Sequence, residues 1–179
     1  MSTNAPKTGA VAAPQRDQNT KTETQKITTF LWFDSNAEEA VNFYVSVFKN
    51  SKIIDSTRYG EGGGGPKGTV MTICFELDGE RFIALNGGPH FKFTEAISLV
   101  VNCKDQEEID YFWEKLSEGG QKVECGWLKD KFGLSWQIVP DNLLELLTGQ
   151  DQERTDRVMA AVMKMKKLDM AEMQRAAAG

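Results

Sequence analysis

The feature that most constrains the fold is an order of predicted elements that occurs twice along the chain. In its first occurrence, a β-branched and aromatic run over 27–33 predicts a strand buried on both faces. A helix is predicted directly after this strand, with Ser35 and Glu38 as a capping box. The apolar positions of that helix recur on one face, at Ala37, Ala40, Val41, Tyr44, Val45 and Phe48. Three further strands are predicted over 51–59, 69–77 and 80–86, the last two joined by an Asp78-Gly79 turn.

The same order begins again at residue 96. A strand is predicted over 96–101, and Asp105 with Glu108 forms a second capping box. The apolar stripe of the second helix is Ile109, Phe112, Trp113 and Leu116, and Gly119-Gly120 ends it. Strands are predicted near 122–127 and over 134–139, the first of them carrying Cys125. The repeated order predicts an α+β fold made of two βαβββ modules that face a shared cleft.

The chain divides into three predicted segments. Residues 1–25 contain no aromatic side chain and are predicted to be a disordered leader. The domain covers 26–140, with modules at 26–88 and 95–140. The segment 141–179 is predicted to be a helical extension, with a short helix over 142–148 and one longer amphipathic helix. The apolar face of the longer helix is Val158, Ala161, Val162, Met165 and Leu168, which suits a cover for the sheet edge or a dimer seam.

Composition narrows the class of partner. The net charge is −5, the pI is near 5.0, and no basic run stands out, so we expect neither nucleic acid nor a membrane surface as a partner. Cys74, Cys103 and Cys125 are odd in number and lack C-x-x-C spacing, which argues against disulfides and a structural zinc site. No apolar run approaches ~20 residues and no signal pattern is present. A cytoplasmic protein with a small-molecule or protein partner is the expectation.

Three segments resemble one known family. They are LWFDSNAEEAVNFYVSVF at 31–48, LNGGPHFKFTEAISLVV at 85–101 and CGWLKDKFGLSWQIVP at 125–140. Together they resemble the PhnB-like branch of the vicinal oxygen chelate superfamily, which includes glyoxalases, bleomycin-resistance proteins and dioxygenases. Domains of this branch are often labelled 3-demethylubiquinone-9 3-methyltransferase. The resemblance covers about 26–170 and implies a glyoxalase-like cup that holds a small ligand, commonly in a homodimer.

The resemblance also indicates where a metal would bind. Metal-using members of the superfamily place a histidine on the first strand of each module and a glutamate on the last strand. The matching positions here are Thr29, Ala96, Asn86 and Gln137. These residues supply neither imidazole nor an anionic oxygen, so no tightly bound metal and no cofactor are predicted.

Ligand-binding residues are predicted from the cup position of Gln137. Alternation along the last strand places Ser135, Gln137 and Val139 on one face. Ser98 and Asn86 are expected to share that interior, with Trp127 available for stacking. The predicted ligand-binding set is Thr29, Asn86, Ser98, Trp127 and Gln137. The alternative is that these groups satisfy one another in a filled cup.

Catalytic residues are not determined by the sequence. His90 could act as a general base at the cup mouth, or be a solvated loop histidine. Cys125 could act as a nucleophile, or be a structural thiol. The run Gly62 to Gly65 is not followed by a helix and lacks the phosphate-loop spacing.

Four functions therefore remain open. The first is a cup that binds a small molecule, with or without lyase- or isomerase-like turnover. The second is a non-catalytic protein that sequesters a drug or other ligand. The third is the methyltransferase of the domain label, although no G-x-G loop lies between a strand and a helix. The last is an interaction protein that uses its C-terminal helix.

Overall fold

The structure is a computed structural model, and it describes residues 25–148 and 151–179. The first module contains β1 (Thr29–Phe33), α1 (Ala37–Val47), β2 (Lys52–Arg58), β3 (Val70–Leu77) and β4 (Glu80–Asn86). The second contains β5 (Ser98–Cys103), α2 (Gln106–Ser117), β6 (Gln121–Lys122), β7 (Trp127–Lys129) and β8 (Ser135–Pro140). The extension contains α3 (Leu143–Leu147), α4 (Gln152–Val162) and α5 (Met170–Ala178). The predicted α+β class with paired βαβββ modules and C-terminal helices is confirmed; the leader predicted over 1–25 lies outside the described residues except for residue 25.

Both modules have the same sheet topology. The first sheet has the order β1-β4-β3-β2 and the second has the order β5-β8-β7-β6. In each sheet the first strand of the module runs parallel to the last, and the other neighbours are antiparallel. Identical order in both sheets is what a duplicated βαβββ unit produces. The Asp78-Gly79 turn forms as predicted, with φ of 46° and 89°.

One hydrophobic core joins the two modules. It includes Leu31, Phe33 and Ala84 from the first sheet and Val101 and Ile138 from the second. The rings of Tyr44 on α1 and of Phe48 at the C-cap of α1 each lie 5.5 Å from Trp136 on β8, measured between ring centroids. The helix-covered sides of the two modules therefore meet in the interior.

The strand β1 is buried on one face only, so the predicted burial of both faces is wrong. Leu31 and Phe33 are buried, whereas Phe30 is 53% exposed. The apolar residues predicted a strand covered on both faces, but among the residues that the structure describes no second layer covers the Phe30 side. The strand β2 is exposed along its whole length, as the edge of its sheet.

The strand predicted over 122–127 is also wrong. β6 ends at Lys122, and the chain turns through Cys125 and Gly126, whose φ values are 60° and 79°. A Cβ atom at position 126 would lie 2.7 Å from the carbonyl oxygen of Ile138. Glycine is therefore required here both for its positive φ and for the close approach of two backbones.

The extension forms two helices after α3 where one longer helix was predicted. α4 ends at Val162, and α5 begins after Asp169, whose carboxylate accepts a hydrogen bond from the amide of Glu172 at 2.8 Å. The extension has its own apolar core, made of Val139, Leu146, Val158, Val162, Met165, Leu168 and Met173. It is fixed to the second module because the amides of Cys125 and Gly126 donate to Met165 and Lys166, each at 2.7 Å. Across 25–148 and 151–179, none of the helices is long and apolar enough to cross a membrane.

Candidate functional site

The candidate site lies on the side of the second sheet that faces away from α2. Val101, Cys103 and Ile138 are buried on the α2 side. Alternation and strand register place the following residues on the opposite side, which we call the open face: Ser98, Val100, Asn102, Trp127, Lys129, Ser135 and Gln137. Val139 continues this side but is covered by the extension. Val100 is 50% exposed, so the open face is accessible along the outer strand β5.

Three of the predicted ligand-binding residues meet on the open face. The side-chain amide of Gln137 donates to the hydroxyl of Ser98 at 2.8 Å. Trp127 lies directly opposite Gln137 on the neighbouring strand and is half-buried. The site therefore combines an uncharged hydrogen-bonding pair with a flat aromatic surface, which suits a small planar ligand.

Asn86 lies elsewhere and its side chain is already used. Its carbonyl oxygen accepts from the backbone amide of Ala37 at 2.8 Å, and its NH₂ group donates to Val70 at 3.1 Å. Asn86 thus caps α1, since Asn36 at the N-cap makes no side-chain capping hydrogen bond. The capping box predicted at Ser35 does not form. The expectation that Asn86 shares an interior with Gln137 is corrected by these contacts.

Thr29 also lies on the α1 side of its sheet. It pairs with Phe82 and is in phase with Leu31 and Phe33, which face the core. The strand register explains why Asn86 and Thr29 do not lie beside Gln137. The pair Leu31 and Ala84 in the first sheet is equivalent to the pair Val101 and Ile138 in the second. Strand equivalence therefore matches Gln137 with Ile83 and Asn86 with Pro140.

The residues at these positions do not fit a divalent metal. The open face offers a hydroxyl and an amide, while the corresponding side of the first sheet offers Phe30 and Ile83. Ala96 is exposed in a turn before β5. Within the residues that the structure describes, no group of three His, Cys, Asp or Glu side chains is placed to hold a metal ion. We therefore derive no chemical step through a metal.

The two candidate catalytic residues lie outside the open face. His90 is exposed in the connection between β4 and β5, and no described residue hydrogen-bonds its ring. Cys125 lies in the turn before β7, half-buried, with its sulfur 3.6 Å from the sulfur of Met163. Cys103 is fully buried, and burial together with Glu108, Asp105 and Asp141 raises its thiol pKa to about 12. Neither Cys103 nor Cys125 is placed beside a general base.

The sequence reasoning did not single out Asp130, a buried carboxylate that connects the modules. It accepts hydrogen bonds from the Tyr44 hydroxyl at 2.7 Å and from the Trp136 indole at 2.8 Å. The amides of Phe132 and Leu134 also donate to it, at 2.9 and 3.0 Å. Burial raises the pKa of Asp130, although these four donors oppose the rise. Burial and the neighbouring carboxylate also raise the pKa of Tyr44. Because Asp130 is only 3% exposed and fully bonded, its role is structural.

A cavity of about 790 Å³ borders the open face at the free edge of β5. It lies between the end of α1, the β3–β4 turn and the start of α2, and its walls include Phe48, Tyr111 and Phe112. Val100 and Asn102 line it, but Ser98 and Gln137 do not. We assign the site to the open face because the polar groups converge there, and not to the cavity, whose aromatic wall belongs to the core between the modules.

Comparison with known proteins identifies the family. The model of a family described as 3-demethylubiquinone-9 3-methyltransferase matches residues 25–139. A Bacillus cereus PhnB protein with the same description is 43% identical, over 64% of this chain and 99% of its own, with a TM-score of 0.59. Protein PA1353 from Pseudomonas aeruginosa is 17% identical, over 65% of this chain and 98% of its own, with a TM-score of 0.55, and shows the shared fold. The fosfomycin resistance protein FosX from Listeria monocytogenes is 15% identical, over 68% of this chain and 94% of its own, with a TM-score of 0.47.

No curated protein matches the chain. The family model nevertheless covers well over half of the sequence, and the Bacillus cereus protein is matched over nearly its whole length. The chain belongs to the PhnB-like family described as 3-demethylubiquinone-9 3-methyltransferase.

Proposed function

We propose that this protein binds a small planar molecule on the open face, in a cup that two copies of the chain form together. The observation that carries the proposal is the Gln137–Ser98 hydrogen bond beside Trp127, on a sheet face that the other described residues leave accessible. Hydrogen-bonding groups beside a flat apolar surface are the usual composition of a small-molecule site. The interpretation needs no metal, because the donor set does not suit one.

A second copy is proposed because one chain supplies only half of a cup around these residues. The helix-covered sides of the modules face each other, so among residues 25–148 and 151–179 no second sheet opposes the open face. The corresponding side of the first sheet carries Phe30, which is 53% exposed, and Trp32, which contacts Phe91. Exposed apolar side chains of this kind mark association surfaces.

The free edges of the sheets support the same arrangement. β1 and β5 each have a strand partner on one side only. Placing β1 of one copy beside β5 of the other, twice about a two-fold axis, would cover both edges. Each resulting cup would have an apolar wall from the first sheet of one copy and the polar Ser98–Gln137 wall from the other.

Whether the cup also turns its ligand over is left to assay. Sequestration without turnover is the second candidate. It is favoured because the polar pair on the open face is a hydroxyl and an amide, which bind a ligand by neutral hydrogen bonds. The methyltransferase of the family description is the third, and titration with S-adenosylmethionine tests it directly.

The proposal is tested by binding of planar small molecules, monitored through tryptophan fluorescence and isothermal titration calorimetry. We expect Gln137→Ala and Ser98→Ala each to weaken binding by about fivefold to tenfold, the value of one neutral hydrogen bond. Gln174→Ala is the matched control, because Gln174 is an exposed glutamine on α5, outside both sheets. Equal affinity for all four proteins would show that the site lies elsewhere. Assaying product formation on the same samples separates binding from catalysis.

A further inference from the structure

Ser135 is a buried hydroxyl without a hydrogen-bond partner. Its side chain is on the open face, directly opposite Ser98 on β5 and Lys129 on β7. The residue is 1% exposed, and its hydroxyl oxygen makes no hydrogen bond within the described structure. A buried polar group left unpaired is costly, so such a group calls for a partner beyond the described residues.

Lys129 is the one cation among the open-face residues named above, and its partner is exposed. Its ammonium group contacts the carboxylate of Glu95, in the connection that leads into β5. The side chain of Lys129 is 30% exposed and that of Glu95 is 66% exposed. Ion pairs this exposed contribute little net stability, so a competing anion can replace the glutamate at small cost.

We propose that Lys129 and Ser135 together bind an oxyanion of the cup ligand. In the free protein the carboxylate of Glu95 occupies the oxyanion position, and the ligand displaces it. The inference rests on the proposed function, which locates the ligand on the open face. In the loaded state the ammonium group of Lys129 and the hydroxyl of Ser135 both donate to the oxyanion, and the Glu95 carboxylate returns to solvent. Such charge-assisted hydrogen bonds are about twice as strong as neutral ones.

The spacing along β7 indicates the class of ligand. Trp127 and Lys129 are two residues apart on the same face, which corresponds to about 7 Å along a strand. A planar ring over Trp127 and Gln137 would therefore carry its anionic group toward Lys129 and Ser135. This arrangement fits a small aromatic carboxylate, with the ring near the Ser98–Gln137 pair and the carboxylate in the position of Glu95.

Benzoate and benzamide test the inference, because they share a shape and differ in charge. Binding to the full chain is followed through the indole N–H signal of Trp127 by NMR. We expect benzoate to bind about tenfold more tightly than benzamide. Lys129→Met should remove that preference, and Ser135→Ala should reduce it by about threefold. Lys122→Met is the control, since Lys122 forms a similar exposed ion pair with Glu114 away from the open face and should leave the preference unchanged.

Glu95→Gln is the decisive variant. If Glu95 competes with the ligand, its neutralisation should tighten benzoate binding about threefold or more and leave benzamide unaffected. Weaker benzoate binding in Glu95→Gln would overturn the inference, because Glu95 would then be positioning Lys129. Equal affinities for benzoate and benzamide in the wild-type protein would overturn it too, while leaving the proposed cup intact. Failure of both compounds to bind would instead reject the cup itself.

Discussion

At the scale of single residues, Asp130 connects the two modules more directly than any other side chain described above. It belongs to the second module but accepts from Tyr44 of the first, inside the shared core. A buried carboxylate is tolerated only when its oxygens are paired, and here two side-chain and two backbone donors pair them. Asp130 begins a turn in which the amide of Gly133, at φ 90°, donates to the Asp130 carbonyl at 3.0 Å. The hydrogen bond across 86 residues to Tyr44 had no local signal.

Replacing Tyr44 by phenylalanine tests this connection. We expect Tyr44→Phe to lower the free energy of unfolding by about 2 kcal/mol, because one donor to a buried charged group is lost. Tyr111→Phe is the matched control: its hydroxyl also joins the modules, donating to Val47 at 2.9 Å, but to a neutral carbonyl at a more exposed position. That control should lose about 1 kcal/mol or less. Equal losses in urea denaturation would show that the charge of Asp130 adds nothing to the bond.

At the scale of elements, local patterns predicted which segments are helices and strands better than they predicted where those segments end. Asp105 caps α2 as predicted, accepting from the amide of Glu108, whereas the carboxylate of Glu108 accepts from the amide of Lys104 and not from that of Asp105. The same spacing in Asp169 and Glu172 signalled the start of α5, so the division of the extension was available in the sequence. The local sequence did not indicate how α1 is capped, because the capping group comes from Asn86, 49 residues away.

The two candidate caps of α1 can be compared directly. We expect Asn86→Ala to lower the free energy of unfolding by about 1–2 kcal/mol, since it leaves the Ala37 amide and the Val70 carbonyl without their partner. Ser35→Ala should change it by less than about 0.5 kcal/mol, because Ser35 makes no capping hydrogen bond. Thermal or urea unfolding of both variants measures the difference. A larger loss in Ser35→Ala would restore the local capping box.

At the scale of the whole molecule, one inserted residue explains why part of the predicted site was misplaced. Phe33 precedes the N-cap of α1 at Asn36 by three residues, whereas Cys103 precedes the N-cap of α2 at Asp105 by two. Two positions that lie the same number of residues before the two helices are therefore on opposite faces of the first strands of their modules. Strand alternation in the second module was enough to place Ser98, Trp127 and Gln137 as neighbours, and their role in binding stays a prediction. The prediction placed Thr29 and Asn86 with them because spacing alone does not reveal which face a strand turns inward.

The assembly proposed above makes the last prediction. Val100 lies on the open face, on the outer strand β5, and is half exposed, so Val100→Asp should fold as a single chain and interrupt the contact between copies. We expect sedimentation equilibrium to give twice the chain mass of 20.0 kDa for the wild type and the mass of one chain for Val100→Asp. Leu144→Asp on α3 is the control, since Leu144 is 71% exposed away from both sheets, and its mass should match the wild type. Met163→Asp, at a 62% exposed position just after α4, tests the extension as the alternative seam. Dissociation by Met163→Asp with an intact Val100→Asp dimer would move the interface to the extension, and the cup would then have to be completed within one chain.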